Sequence, residues 1–423
     1  MILLRWGVIY LKRIVSVALM ALMLLTLVSC TLRPIDENIL PETEPANAET
    51  NDNSESESET ERETETEPVT EPVEDVITKA SFVGCGDNII YYGTYRDAKS
   101  QAVSGGRAYN FRPMYSEVES IISSADLAFI NQETVISHSN EPQSYPNFNS
   151  PVDIADDLVD VGFDIISVAN NHMLDHGALG LKETYDNWKA RNVTLVGCHE
   201  ENESGKYVTY IEKNGIKIGI VSYTYGTNLG EDPAKYGLYA SYLKYADVAG
   251  EVSEARENAD FVIVSVHWGQ EGAMTPSEEQ KNYAQIMADN GADVIIGHHP
   301  HVLQPIEWIE GTSGNKTLCV YSLGNFLHEQ DWEYNVPGGM ITFDIQKINE
   351  ERATVENVQF IPTVCHYPKS FYGNKIYLLE NYTADLANAH AVRTYYKHNI
   401  SLEGLISIVK KTISSEFLPE SFK

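Results

Sequence analysis

Three imidazoles fall within the pentapeptide Gly297-His298-His299-Pro300-His301, directly after the apolar run Val294 to Ile296. Five other stretches place polar residues just beyond an apolar run in the same way. They are Gly84-Cys85-Gly86-Asp87, Asn131-Gln132-Glu133, Asn170-Asn171-His172 with Asp175-His176-Gly177, His267-Trp268-Gly269-Gln270-Glu271, and Ser322-Leu323-Gly324-Asn325-Phe326. Carboxylates, carboxamides and imidazoles together form the mixed oxygen and nitrogen donor set that hard or borderline divalent cations take. Each residue alone has an ordinary reading: Asp87 as a helix cap, Glu133 as a surface charge, His267 as a satisfied core histidine. Two amides and an imidazole after one strand, and three imidazoles after another, add nothing to the stability of a fold. The combination points to a metal-binding site, with a metal-assisted reaction as the chemistry it would support.

The elements that must position these residues are short, β-rich apolar runs alternating with helical segments. The predicted strands are Ala80 to Gly84, Leu127 to Ile130, Ile165 to Ala169, Thr194 to Gly197, Phe261 to Val266, Val294 to Ile296 and Leu318 to Tyr321. Several are continuously apolar, as strands covered on both faces are. Helices are predicted over Tyr115 to Ser123, Ala178 to Ala190 and Ser277 to Asn290, the last opening on Pro276-Ser277 and closing on Gly291. Asn214-Gly215 between Tyr207 to Lys213 and Ile216 to Tyr223 is a hairpin signal. A second two-stranded segment runs over Gly339 to Ile348 and Ala353 to Ile361, and the tail Lys375 to Phe422 reads as two helical stretches. The pattern predicts an α/β domain with sheets covered by helices. In such folds, loops at the C-terminal ends of strands build sites, and the polar clusters occur there.

The chain of 423 residues carries a formal charge of −31. Residues 31 to 76 hold sixteen acidic and two basic residues, a net charge of −14, in a Glu/Ser/Thr/Pro composition that has little to bury. This stretch is predicted to be a disordered, self-repelling linker. An acidic domain on an acidic tether argues against nucleic-acid binding. Ahead of it, basic residues at Arg5, Lys12 and Arg13 precede an apolar run and then Ser29-Cys30. Residues 1 to 30 are therefore read as a secretory signal. Leu27-Val28-Ser29-Cys30 resembles a bacterial lipobox, which makes Cys30 the predicted lipidation site and the chain a membrane-anchored, extracytoplasmic protein. The competing reading is an uncleaved membrane anchor. Cys85, Cys198, Cys319 and Cys365 form no Cys-x-x-Cys pair, and three lie in or beside apolar runs, so they are read as small buried hydrophobes.

Taken in order, Asp87, Asn131 to Glu133, Ala169 to Gly177, His267 to Glu271, Gly297 to His301 and Tyr321 to Phe326 resemble the motifs of the CapA-type capsule, or poly-γ-glutamate, synthesis proteins. That family is related to the calcineurin-like metallophosphoesterases. The resemblance covers about Ala80 to Thr363 and implies a two-sheet sandwich flanked by helices over residues 77–365, with a C-terminal helical extension over 366–423. It implies Asp87, Glu133, Asn171, His267, His299 and His301 as ligands of one or two divalent metal ions, with Glu133 bridging and His298 an alternative to His299. His172 would be the catalytic histidine. Asn170, Asp175, His176, Glu271, His298 and Asn325 would orient ligands or contact substrate. Two departures are visible: Ile89 stands where the related hydrolases have the histidine of Asp-x-His, and Glu133 follows Asn131-Gln132 where they have Gly-Asp. Both imply a weakened or reshaped first metal position. The function implied is synthesis, export or retention of an anionic envelope polymer such as poly-γ-glutamate, together with its synthesis machinery. The alternative is an extracytoplasmic metal-dependent phosphoesterase acting on an envelope substrate. A solute-binding lipoprotein would share the lipobox but leaves the histidines unexplained.

Overall fold

Apolar runs of this length and β-branched content pair with one another once both faces can be covered. The computed structural model, which describes residues 75–201 and 207–423, shows this throughout. The predicted signal segment with Cys30, and the predicted linker before Asp75, lie outside the described residues.

The first sheet runs, in spatial order, through Lys375–Leu378, Thr354–His366, Pro337–Ile348, Ile77–Asn88, Leu127–Gln132, Ile165–Ser167 and Thr194–Val196. The short strand Asn325–Leu327 pairs in parallel with the end of Ile77–Asn88. The second sheet runs through Ile306–Glu310, Lys316–Val320, Val294–His298, Phe261–His267, Ile216–Thr224 and Thr209–Lys213.

Side-chain alternation divides each strand of the second sheet between two cores. Ile216, Ile218, Ile220, Phe261, Ile263, Val294, Ile296, Leu318 and Val320 pack with the first sheet. Val221, Tyr223, Val262, Val264, Val266, Ile295 and Cys319 point the other way. There they meet Val252 and Ala255 of the helix Val248–Asn258 and Ala284 and Met287 of the helix Glu278–Asp289. Phe343 joins the layers, stacking on Phe82 at 4.6 Å and lying 6.2 Å from Phe261. The result is the α/β sandwich of two sheets flanked by helices that the resemblance implied.

Most predicted elements recur, with strands extending toward the site. The strand predicted to end at Gly84 continues to Asn88, and those predicted to end at Val266 and Ile296 reach His267 and His298. Asn214 (φ 52°) and Gly215 (φ 76°) make the predicted hairpin turn. Ser277 and Gln280 form a reciprocal capping box at the start of Glu278–Asp289. The helix predicted over Tyr115 to Ser123 is instead two short helices, Arg112–Tyr115 and Glu119–Ser124. Pro113 opens the first of these, and Tyr115 is fixed by a 2.7 Å hydrogen bond from its hydroxyl to Asn88. The tail contributes helices, including Leu402–Thr412, and also a strand not foreseen, Lys375–Leu378, which pairs with Thr354–His366. Its Leu405, Val409, Phe417 and Leu418 belong to the main core. All four described cysteines are free and buried, as expected.

Candidate metal centre

The parallel strands of both sheets end at one edge, and the predicted ligands follow them there. Asp87 is turned inward by a register shift between Cys85 and Asp87. Gly86 permits this shift, because a Cβ there would lie 2.1 Å from the Gly324 carbonyl oxygen. The Asp87 carboxylate accepts from Asn131 Nδ2 at 2.8 Å and from the His299 amide at 3.2 Å, and it meets His298 Nδ1 at 3.1 Å and His301 Nδ1 at 3.2 Å. Burial alone would raise this carboxyl, but the two histidines outweigh burial and hold it well below the usual carboxylate range.

Glu133 stands opposite. It is 1 % exposed, and no described residue donates a hydrogen bond to either of its oxygens. His301 Nε2 lies 3.5 Å and His267 Nε2 3.8 Å from its Oε1. Burial pushes its carboxyl well above the usual range, against the pull of His301. A carboxylate left this way costs folding energy unless a cation completes it. His267 Nε2 is also 2.8 Å from Asn171 Oδ1, while its Nδ1 is unpaired among the described residues. Burial, then His299, depress the His267 imidazole well below its ordinary value, and burial takes His299 down to about 3, so both present neutral lone pairs. At His301, burial is outweighed by Glu133 and Asp87, and its pKa rises to about 9. The carboxylates on either side of His301 thus make this a place that favours positive charge.

Asp87, Glu133 and His267 have ligand atoms within 4.8 Å of one another, and so do Glu271, His299 and His301. The unpaired buried atoms of Glu133, His267 and His299 and the mixed donor chemistry fit a divalent cation. The first sheet supplies the oxygens of Asp87, Glu133 and Asn171, and the second supplies the imidazoles of His267, His299 and His301.

The residues expected to orient the ligands have specific partners. Asn325 meets His301 Nδ1 through its Oδ1 at 3.1 Å and donates Nδ2 to the His301 carbonyl at 3.2 Å, leaving Nε2 toward Glu133. Asn170 accepts from the His172 amide at 3.0 Å and donates to the Gln132 carbonyl at 3.0 Å. His172 Nδ1 lies 2.7 Å from Asp175 Oδ2, which also accepts from the Phe148 amide at 2.7 Å. That pairing fixes the ring and leaves Nε2 as its remaining polar atom. Of the two adjacent histidines, His298 sits against Asp87 and stacks on Phe129, whereas His299 joins His267 at 4.8 Å and His301 at 5.8 Å between ring centroids. Ile89 is buried and offers no donor.

Several site residues were not foreseen. Tyr225 lies 4.6 Å from His299, Phe148 packs edge-on to His172 at 4.8 Å, and Tyr91 packs edge-on to Phe148 at 5.1 Å. Asn228 donates its amide to the Asn171 carbonyl at 2.8 Å, and its Nδ2 lies 3.4 Å from His172 Nδ1. Tyr225 and Asn228 directly follow the strand Ile216–Thr224, so the strand-end rule that found His267 applies to them too. Phe148 and Tyr91 carry no comparable signal. Beneath Glu133, a buried polar chain links Tyr115, Asn88, Gln132, Thr134 and Ser150 through contacts of 2.6 to 2.7 Å.

The family model described as bacterial capsule synthesis protein PGA_cap matches residues 81–330. The chain is 29% identical over 280 residues to the PGA biosynthesis protein CapA of Bacillus subtilis, covering 64% of this chain and 69% of that protein. It is 32% identical over 191 residues to the capsule biosynthesis protein CapA of Bacillus anthracis, covering 44% and 45%. It thus spans about two thirds of the one and less than half of the other. Among solved structures, a putative 5′-nucleotidase from Staphylococcus aureus aligns with a TM-score of 0.42 at 16% identity, over 67% of this chain and 54% of that chain.

Proposed function

Because the chain belongs to the bacterial capsule synthesis protein family, we propose that it acts outside the cell in making, exporting or retaining a carboxylate-rich polymer such as poly-γ-glutamate. In this reading it is held to the membrane by acyl chains on Cys30 and joined to its folded part by the acidic linker. The observation that carries the reading is Glu133, buried with both oxygens unpaired among the described residues, between His267 and His301. A polyanion is repelled by a chain of charge −31, and a cation-loaded edge is where attraction replaces repulsion. Asp87, Glu133, Asn171, His267, His299 and His301 would hold the cation or cations. When bound, the ion supplies positive charge to carboxylate or phosphate groups and acidifies a coordinated water.

A second reading, hydrolysis of a phosphoester in the envelope, is favoured by one observation. His172 is fixed by Asp175 immediately after the ligand Asn171, the placement a general acid needs to protonate a leaving oxygen. Asp175 and Asn170 would hold the ring, and Phe148 and Tyr91 would wall the cleft beside it.

The test is metal content of the purified chain, followed by binding and cleavage assays with poly-γ-glutamate, phosphomonoesters and phosphodiesters. Metal-dependent polymer binding unaffected by His172→Ala supports the first reading. Metal-dependent ester cleavage that His172→Ala lowers by 10²-fold or more supports the second. A chain that takes up no divalent metal refutes both.

A further inference from the structure

We propose that Glu271 is a direct ligand of a second divalent cation, held with His299 and His301 on the solvent side of the site. The assignment rests on the metal-centre reading above. It goes beyond the expectation that Glu271 orients ligands or contacts substrate.

Ile89 cannot contribute: it is 1 % exposed, apolar, and its amide is engaged with the Leu327 carbonyl at 2.8 Å. Asp87, Glu133 and His267 therefore make an inner three-donor set without help from position 89. Glu271 belongs to a different set, its carboxylate within 4.8 Å of a ring nitrogen on each of His299 and His301. Glu271 is exposed while both histidines are buried, so this set opens to solvent on one side only.

An exposed glutamate is ordinarily mobile, but this one sits on a segment tied down at several points. The Trp268 amide donates to the His298 carbonyl at 3.1 Å, and its indole donates to the Tyr321 carbonyl at 3.0 Å. The Gly272 amide donates to the Pro300 carbonyl at 2.8 Å, and Gln304 Nε2 donates to the Ala273 carbonyl at 2.7 Å. The segment bearing Glu271 is thus clamped to the segment bearing the histidines, on both sides of the carboxylate.

The histidines themselves give an independent sign of a ligand. His299 Nδ1 is buried and unpaired among the described residues, with the residue only 4 % exposed. His299 (φ 96°) and His301 (φ 56°) both hold left-handed backbone, a conformation costing about 1–3 kcal/mol per non-glycine residue and concentrated at functional sites. His301 Nδ1 is held by Asp87 and Asn325, which leaves Nε2 free to ligate, and ligation gives the unpaired His299 Nδ1 a partner.

The Glu271 carboxylate adds one anionic oxygen donor to the two imidazoles. Two imidazoles and one carboxylate suit transition-metal divalent cations, zinc and Mn²⁺ among them, more than Mg²⁺ or Ca²⁺. Three donors on each ion leave positions open for water or an anionic group of the substrate.

The experiment titrates the full, chelator-stripped chain with Mn²⁺ and follows free Mn²⁺ by electron paramagnetic resonance. Two ions per chain are expected for the native protein. In Glu271→Gln the tighter step remains, and the weaker step is lost or weakened ten-fold or more; Glu271→Asp restores part of it. Native-like melting of Glu271→Gln in chelator is expected, because the side chain is exposed. Equal stoichiometry and affinity in native protein and Glu271→Gln overturn the assignment, and so does a single ion in both, which leaves the inner site standing. No Mn²⁺ bound by the native chain overturns the metal-centre reading itself.

Discussion

Replacing Glu133 by glutamine separates a structural carboxylate from a cation ligand, because the two roles predict opposite signs. In the metal-free chain, Glu133 must fold either as a buried charge without hydrogen bonds or with a proton it does not carry when unfolded. Glutamine needs neither charge nor bound proton, so only the smaller cost of a neutral unpaired group remains. An unsatisfied buried polar group costs roughly 1–3 kcal/mol, and more when charged. His301 is not stranded by the change, since Asp87 remains 3.2 Å from its Nδ1. The folded unit Pro72–Lys423 is about 350 residues, and at ~2.1 cal/mol/K per residue its unfolding entropy is about 0.7 kcal/mol/K. Glu133→Gln should therefore raise the chelated Tm by about 1.5–4 °C. With Mn²⁺ at 100 times Kd the native chain gains about 2.7 kcal/mol, or about 4 °C. A variant weakened about 100-fold in affinity gains about 0.4 kcal/mol, under about 1 °C. The assay is a pair of circular dichroism melts for each protein, in chelator and in Mn²⁺. A chelated variant less stable than native, or an equal Mn²⁺ shift in both, refutes the reasoning.

Two further outcomes are expected. Gly297→Ala places a Cβ 2.0 Å from the Tyr321 carbonyl oxygen and 2.6 Å from the Trp268 indole nitrogen, so it should cost about 1–3 kcal/mol and weaken Mn²⁺ uptake together, read by melting and by titration. Glu329 accepts from the Gly93 amide and the Thr94 hydroxyl, yet burial pushes its carboxyl up to about 7 from 4.5. An acid with a raised folded pKa favours the folded state fully below its unfolded pKa, so stability should fall as pH rises from about 4.5 through 7, by on the order of 3 kcal/mol. Glu329→Gln should flatten that slope in chemical denaturation series, and an unchanged slope would count against the burial account.

The fold was legible where one local pattern sufficed. Continuous apolar runs marked the central strands, and Asn214-Gly215 and Pro276-Ser277 marked a turn and a helix start. The candidate site was legible because its expected ligands follow strand ends, a pattern visible in the sequence. What sequence could not supply was pairing between distant segments. The strand Lys375–Leu378 exists because Thr354–His366 offers it an edge, and its own residues read as tail. His298 lies against Asp87 and Phe129 while His299 lies with His267 and His301, a separation accompanied by left-handed backbone at His299 that no spacing rule encodes. Likewise, Phe148 reaches His172 from a segment with no polar signature.

The division of donors between the two layers has a consequence for how the molecule assembles. Asp87, Glu133 and Asn171 belong to chain segments that precede His267, His299 and His301, and the two groups meet only where one sheet lies against the other. A partly folded chain with the first sheet alone would own oxygens without imidazoles, and one with the second alone would own the imidazoles and Glu271 without Asp87 or Glu133, so neither half holds the inner donor set. A cation captured between them acts as a non-covalent cross-link, closing a loop from Asp87 to His301 of more than 200 residues. Metal uptake during refolding would therefore report the docking of the sheets, the slow, long-range event in a fold of this connectivity.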